Sequence, residues 1–437
     1  MKNIGKTKFR SALPDTLDCL SGPLFLSDED KKALDTWLGH NSNNHLEVNA
    51  TGRIPRIIFF GSGLGELLIT RFLIRQLTKE GFRFKWWFTV ISDSFRKRLK
   101  SRIASRNLLD IQNRSVLDAV ARTRPDLLCV LEHSYPFKMT EMMRLCSGWA
   151  QCPVFMLSAR ADRSWLERTA LFGPGKKQLY KDSFQSVSYA VTDDQDSAAA
   201  LYSMNITPNR IIMGPSLKWH TGRRRKNAAI RSRIREYWDM GQDGGLILML
   251  ASIHNSEIYP VLRMLKNQCK RGGIRLILAP HISLPPLHAS AVLIDLGFSY
   301  QRWSRMDERP HNETEVLLID TYGDLAAIYS AADLAYIGGG FDTQYHGHNV
   351  VEAAALQVPV VIGPDFSGFK SIVKPLINNR GIEIAGDFSR LSQILNDLLS
   401  DSARREQLAR RAFQVYRKYV NAEPLELQLL RKYLQSR

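Results

Sequence analysis

From Ile54 onward, short apolar runs alternate with stretches of helical character, and no other feature of the chain constrains its fold as strongly. Residues 57–60, 86–91, 127–131, 154–157, 187–191 and 211–213 read as strands. A second series follows at 246–250, 274–278, 316–319, 334–337 and 360–362. Strands that are apolar on both faces belong in parallel sheets, and their alternation with helices indicates βαβ units. Between the two series lies a strongly basic, polar stretch, 222–236, so the interdomain linker is expected near 215–222. The chain therefore reads as α/β with a polar N-terminal extension, 1–52, and two Rossmann-like domains, 53–218 and 219–437. A helix is expected over 67–78, with Leu68, Phe72 and Leu77 on one face. Another, rich in Arg, is expected over 402–419 as the last helix, and it is the candidate to return to the first domain. Two doubly wound halves leave a cleft, and ligands of such sheets bind beyond the carboxyl ends of the strands, against helix N-termini.

Charge says that the partner is anionic without saying which anion. The 437 residues carry 60 Lys+Arg against 43 Asp+Glu, a formal +17. Nucleic acid, acidic lipid and an anionic small substrate all satisfy that excess. The 44% apolar content excludes a wholly disordered chain. The five cysteines have no CxxC pair, which argues against a disulfide scaffold or a cysteine zinc site and for reduced, packed thiols. No apolar run approaches the ~20 residues that span a bilayer, and the N-terminus lacks the apolar core of a secretory signal. The expectation is a cytoplasmic protein whose membrane contact, if any, is peripheral.

Chemistry is concentrated where strands end. GSGLGE (61–66) stands between a strand and a helix. Gly61, Gly63 and Gly65 allow a tight turn and close backbone approach, and the spacing is too short for a dinucleotide fingerprint. Glu66 falls in the first helical turn, where a carboxylate can serve as general base for a hydroxyl acceptor. The helix dipole alone also favours Glu at that position. In the second domain, LASIHNSE (250–257) offers Ser252, expected to donate from the following helix start, with His254 and Glu257 readable as ordinary helix-end polar groups. LAPHI (278–282) places His281 after a strand. DTYGDL (320–325) reads as a turn with Asp320 or Thr321 as an N-cap. In GGGFDTQYHGHNVVEAAAL (338–356), Gly338, Gly339 and Gly340 can bring backbone amides against a phosphate. Asn349 and Glu352 are three apart at a helix start, so both can face one ligand, or form a capping box. His346 and His348 invite a metal reading, but hydrogen bonding to substrate or loop is the better one, and no metal is assigned. Several such polar strand ends together indicate a nucleotide site.

The order of these segments resembles one family, over roughly residues 54–435: the bacterial Kdo transferases of lipopolysaccharide synthesis. These move 3-deoxy-D-manno-octulosonic acid (Kdo) from CMP-Kdo to lipid A precursors. The family's Ser-x-Gly-Glu turn, bearing the catalytic base, is matched loosely by Ser62 or Gly63 and closely by Gly65 and Glu66. Its Glu-x-x-x-Trp-Pro segment is similar to 132–136, with Tyr135 for Trp, and its Asn-Ala-Arg segment to Ser158, Ala159 and Arg160. Its Gly-Asn-x-Lys turn resembles Gly214 to Lys218, with an extra residue and no Asn. Ser252, His254 and Glu257 match Ser-Thr-His-x-x-Glu. Asp320, Thr321, Gly323, Asp324 and Leu325 match Asp-Thr-x-Gly-Glu-Leu. The fullest match is Gly338, Gly339, Gly347, His348, Asn349 and Glu352 to Gly-Gly…Gly-His-Asn-x-x-Glu. Departures are the polar extension where many members carry an apolar anchor, the loop 341–346, and Pro280-His281-Ile282 in place of Pro-Arg-His. The last exchanges a permanent charge for an imidazole with an unperturbed pKa near ~6.5.

The resemblance implies a GT-B fold and an inverting, metal-independent glycosyltransferase without cofactor. The donor is CMP-Kdo and the acceptor a lipid A precursor or related glycan. Glu66 is implied as catalytic base. Donor-binding residues are implied at Ser252, Pro280, His281, Gly323, Gly339, Gly340, His348, Asn349 and Glu352. Ser62, Gly63, Gly65, Arg160 and Lys218 are implied against the acceptor or donor carboxylate. Acidic membrane at the cytoplasmic face of the inner membrane is the expected surface partner, through basic stretches 96–106 and 223–235, and nucleic acid is not. The alternatives are transfer of another ulosonic acid or nucleotide sugar to a capsule or surface glycan, and a non-catalytic basic module that binds membrane.

Overall fold

The computed structural model describes residues 53–90, 96, 103–132, 136–160, 174–222, 226–240, 244–271, 273–281, 284–308, 313–321, 323–342 and 344–436. The N-terminal extension and most of the basic stretch 96–106 lie outside the described residues. So do Arg223 to Arg225, and Tyr135 of the 132–136 segment. The chain divides into two units, one running to Leu217 and resuming at Glu423, the other spanning Lys218–Ala422.

The first unit carries β1 (Arg56–Phe60), β2 (Lys85–Val90), β3 (Leu108–Asp110), β4 (Leu127–Leu131), β5 (Val154–Leu157), β6 (Val187–Thr192) and β7 (Ile211–Met213). They form one parallel sheet in the order β3-β2-β1-β4-β5-β6-β7. Alternation along β1 explains why both faces are covered. Ile58 and Phe60 join a core with Met139, Met142 and Met156. Ile57 and Phe59 join one with Leu67, Leu73 and Leu77 on the other face. Each fully buried Leu or Ile of this kind contributes about 1.5–3 kcal/mol relative to exposure.

The second unit carries β8 (Leu246–Ile253), β9 (Ile274–Pro280), β10 (Tyr300–Arg302), β11 (Val316–Leu318), β12 (Leu334–Ile337), β13 (Val360–Ile362) and β14 (Glu383–Ile384). Their order is β10-β11-β9-β8-β12-β13-β14, again parallel throughout. Strand order reverses between β1 and β4 in one unit and between β8 and β12 in the other. A reversal of this kind opens a crevice for ligand at the strand ends. The two doubly wound parallel sheets bear out the α/β class.

Several local expectations need correction. β3, β10 and β14 were not legible in the sequence: each has two or three residues, lies at a sheet edge and lacks an apolar run. The helix after β1 is Leu64–Lys79; Leu77 of the expected face is buried, Phe72 packs half-buried against the same core and Leu68 is half-buried, while the buried stripe is Leu67, Thr70, Leu73 and Leu77. Those four are three, three and four apart, one helical stripe over the sheet. The Arg-rich helix runs Ser402–Asn421 and ends inside the second unit. A further helix, Leu425–Gln435, belongs to the first unit and supplies Leu425, Leu429, Leu430 and Tyr433 to its core. Arg431 ties it to Glu80 at 2.8 and 3.0 Å. A Cβ on Gly214 would collide with the Leu425 side chain, so the glycine of that turn serves packing. The four described cysteines are free and buried, and no helix among the described residues is long and apolar enough to cross a membrane.

Candidate functional site

In the first unit, β1 ends in a turn built around one carboxylate. Gly61 exchanges two hydrogen bonds with Thr89: its N–H donates to Oγ1 at 3.0 Å, and the hydroxyl donates to its carbonyl at 2.8 Å. The helix Leu64–Lys79 starts after Gly63, and Glu66 stands in its first turn, 7% exposed. Ser62 Oγ donates to Glu66 Oε1 at 3.3 Å. A Cβ on Gly63 would lie 2.6 Å from Glu66 Oε2, and one on Gly61 2.8 Å from Glu66 Cβ and the Phe88 ring. These two glycines let the carboxylate lie against the backbone of the turn. Gly65 does not share that role, because it lies within the helix and a Cβ there would meet nothing within 4 Å. The geometry is that of a carboxylate held at a positive helix end.

Further along the same sheet, Ser158 follows β5 with φ of 51°, and its hydroxyl donates to Glu426 at 3.1 Å. Glu426 comes from the C-terminal helix and is 1% exposed. Burial pushes its carboxyl up to about 7, with Asp193 adding to the effect and the Ser158 hydrogen bond opposing it. Arg160, two residues beyond Ser158, is partly buried.

The second unit brings three imidazoles together from the ends of three adjacent strands. β8 reaches Ile253, and its pairing with β9 shifts register between Ala251 and Ile253. Ser252 sits in that irregularity at φ 53°, so it belongs to the strand and not to the helix start expected for it. The helix begins at Asn255, with His254 as N-cap. His281 follows Pro280, the last residue of β9, and its N–H donates to Ile253 O at 2.8 Å. His348 comes from the loop after β12. Its Nε2 lies 2.6 Å from His254 Nε2, with the ring planes 12° apart. His281 stacks on His348 with ring centroids 4.7 Å apart and lies tilted against His254 at 4.3 Å. Tyr345 covers His254 at 3.4 Å.

One buried carboxylate organises this arrangement. Glu257 accepts from Gly339 N–H at 2.7 Å, Tyr336 O–H at 2.9 Å, Phe341 N–H at 3.2 Å and His254 N–H at 3.4 Å. The Gly338 N–H donates to Ala251 O at 2.9 Å. The amides of Gly338 and Gly339 are thus committed inside the protein, which corrects their expected role as phosphate donors. The glycines are required for close approach instead. A Cβ on Gly338 would lie 2.5 Å from Glu257 Oε2. On Gly339, at φ 83°, it would lie 2.8 Å from the His348 ring, and on Gly340 2.7 Å from Gly363 Cα.

Burial is the main cause that pushes His254 down to about 4 and His348 down to about 3. His281 adds to both shifts, and Asp342 opposes the first. Burial also lowers His281. The cluster is neutral at pH 7, so it offers N–H donors and lone pairs rather than charge.

Other expected residues are placed differently. Asn349 Oδ1 accepts from Val351 N–H at 3.0 Å, a local turn, and the helix Val351–Ala355 has Val350 at its N-cap, so the expected capping box does not form. Glu352 lies close enough to the buried Tyr329 to act on its hydroxyl. Asp320 accepts from Ser304 N–H and Oγ at 3.0 and 2.6 Å, and Asp324 takes the N-cap position assigned to Asp320 or Thr321. Gly323, at φ 100°, shapes that turn. His346 turns away from His348 to Asp365 and Ser367, at 2.9 and 3.0 Å, which rules out a joint His-x-His site. Lys218 falls in the second unit, with Nζ 4.7 Å over the Phe369 ring. His254 and Glu257 are the central residues that sequence reasoning left among ordinary polar groups. Their signal was the Ser-x-His-x-x-Glu spacing after a strand.

Comparison with known proteins agrees with the motif order. Residues 28–221 match the family model described as 3-deoxy-D-manno-octulosonic-acid transferase (kdotransferase). A 3-deoxy-D-manno-octulosonic acid transferase of Chlamydophila psittaci is 25% identical over 344 residues, 76% of this chain and 74% of the relative. That of Haemophilus influenzae is 23% identical over 395 residues, 89% of each chain. Among solved structures, a UDP-GlcNAc 2-epimerase from Neisseria meningitidis bound to UDP-GlcNAc is 13% identical. It covers 87% of this chain and 100% of its own at a TM-score of 0.57, a likeness of fold. The resemblance to the Kdo transferases and the GT-B type of fold are borne out.

Proposed function

We propose that this chain, a glycosyltransferase similar to the Kdo transferases, moves Kdo from CMP-Kdo to a lipid A precursor or related glycan, with inversion and without a metal or cofactor. The observation that carries the reading is the convergence of family motifs on adjacent strand ends. His254 after β8, His281 after β9 and His348 after β12 meet over a loop pinned by Glu257. Neutral imidazole N–H groups and the start of a 16-residue helix suit the departing phosphate of a nucleotide.

In this reading Glu66 removes the proton of the acceptor hydroxyl, and that oxygen attacks the anomeric carbon as CMP leaves. Ser62 and the bare backbone of Gly63 hold the Glu66 carboxylate in place. A ketosidic centre ionises readily, so positioning and stabilisation of the leaving phosphate matter more than nucleophile strength. Ser252, Pro280, His281, Gly323, Gly340, His348 and Asn349 are assigned to the donor, Glu352 to its ribose. Gly339 contributes by giving His348 room. Arg160 and Lys218 are assigned to the donor carboxylate or the acceptor. The +17 charge supports peripheral contact with acidic membrane at the cytoplasmic face of the inner membrane.

Calorimetric titration with CMP, followed by turnover of CMP-Kdo with a lipid A precursor, tests the assignment. Binding and turnover that survive chelator treatment are expected. Turnover of CMP-sialic acid or a UDP-sugar in place of CMP-Kdo would move the donor, and no heat with CMP would remove the donor site.

A further inference from the structure

We propose that His254, His281 and His348 form a site for one divalent transition-metal ion, of the zinc, cobalt and nickel class. The three residues come from the ends of β8, β9 and β12, which are neighbours in the sheet order. One ligand nitrogen from each lies within 4.8 Å of the others. No comparable group of His, Cys, Asp or Glu occurs elsewhere among the described residues.

Geometry sets what binding requires. Zinc–imidazole bonds are ~2.0–2.1 Å long, so nitrogens at neighbouring corners of a tetrahedron stand ~3.3–3.4 Å apart. The His254–His348 nitrogens, at 2.6 Å, are closer than that and hold a proton between them. An ion takes the place of that proton, which moves to another ring nitrogen or to solvent. The pair must spread by somewhat under ~1 Å, and the His281 nitrogen must close by up to ~1.5 Å. The frame around them stays fixed, because Glu257 binds the backbone on both sides, at His254 and at Gly339. Three histidines leave a fourth position open, as in catalytic zinc sites.

Two features bear on a cation here. The N-terminus of the helix Asn255–Lys270 opposes it. The buried Glu257 carboxylate and Asp342, held by Ser256 Oγ at 2.8 Å and acting electrostatically on His254, favour it. Imidazole is a strong ligand for this metal class, and a helix end is a weak field by comparison. His346, one residue from Gly347, plays no part, since it is bound to Asp365.

The ion and the phosphate of a nucleotide would occupy the same imidazoles, so the two are expected to compete. This last clause rests on the donor reading above, and the metal site itself does not.

The full chain, stripped of metal with chelator, is titrated with zinc chloride by calorimetry and with cobalt chloride by visible absorption. One ion per chain with micromolar or tighter affinity is expected, and cobalt should show the intense d–d bands of a four- or five-coordinate, nitrogen-rich site. His281→Arg and His348→Gln should each weaken binding by at least ~10-fold, while His346→Ala leaves it unchanged. A pale octahedral cobalt spectrum on the wild-type chain would overturn the proposal without recourse to any variant. So would affinity unchanged in both His281→Arg and His348→Gln. CMP is expected to displace cobalt. If CMP fails to bind metal-free protein, the donor reading falls while the cobalt spectrum still decides the metal site.

Discussion

His254 and His348 face each other Nε2 to Nε2 at 2.6 Å, so one of the two must donate and the other accept, and a single proton fits between them. Burial, with the neighbouring His281 adding to it, keeps both rings neutral, with His254 pushed down to about 4 and His348 to about 3 from an ordinary 6.5. The unfolded chain binds a proton on each below pH 6.5, and the folded chain does not. Stability from this pair is therefore complete above pH 6.5 and declines as pH falls toward 4. The slope is on the order of 1 kcal/mol per pH unit for each ring. Urea unfolding of wild type and His348→Gln between pH 8 and pH 4 checks this. A variant that loses stability as steeply as wild type over that range contradicts it.

Glu257→Ala would orphan four donors in the interior: Gly339, Phe341 and His254 N–H and Tyr336 O–H. The expected destabilisation is on the order of 3 kcal/mol or more, since each unmade buried hydrogen bond costs about 1–3 kcal/mol. CMP binding should be lost with it, because the loop carrying His348 is no longer held. Chemical denaturation and calorimetry on the same preparation measure both. An unchanged unfolding midpoint speaks against the role given to this carboxylate.

Glu66→Gln keeps the shape of the side chain and an oxygen for the Ser62 hydroxyl, but removes the base. Turnover is expected to fall about 10²–10⁴-fold, the usual contribution of a positioned general base. CMP affinity should be unaffected. Steady-state kinetics beside calorimetry separate the two, and full transferase activity in this variant would sink the base assignment.

Glu426 behaves in the opposite sense from the histidines. Its carboxyl is raised from 4.5 to about 7 by burial, so the folded state favours its neutral form. That contribution is complete below pH 4.5 and is lost as pH rises through 7. Glu426→Gln supplies a permanently neutral group that still accepts from Ser158. The variant should gain on wild type as pH rises from 4.5 to 7 and stay ahead above that, by on the order of 1–3 kcal/mol. Melting temperatures of both proteins across that range provide the measurement. A variant less stable than wild type at pH 8 rules the account out.

Most of the sheet was legible because long, doubly buried parallel strands must be apolar throughout, as in 127–131 and 334–337. The short edge strands β3, β10 and β14 were not, since two or three residues at an edge need no such pattern. At the site, Glu66 and His348 were legible from motif spacing after a strand. Glu257 was legible as a motif position but its organising role was not, because its partners Tyr336, Gly339 and Phe341 lie about 80 residues away in the chain and only the β8–β12 pairing brings them near.

The amino-acid sequence by itself determined the α/β class, the two strand series and the family likeness, all of which follow from local periodicity and from residue types at fixed short spacing. It also placed a carboxylate in the first turn after β1. Only the tertiary structure decided how the glycines of the 338–340 triplet are used. Gly338 and Gly339 read as an anion cradle when only their neighbours in sequence are considered. In the folded chain their amides turn inward to Ala251 and Glu257, and the missing Cβ atoms make room for Glu257 and His348. The physical reason is that a backbone N–H is claimed by whichever acceptor the sheet brings nearest, and strand order, not sequence distance, selects that acceptor.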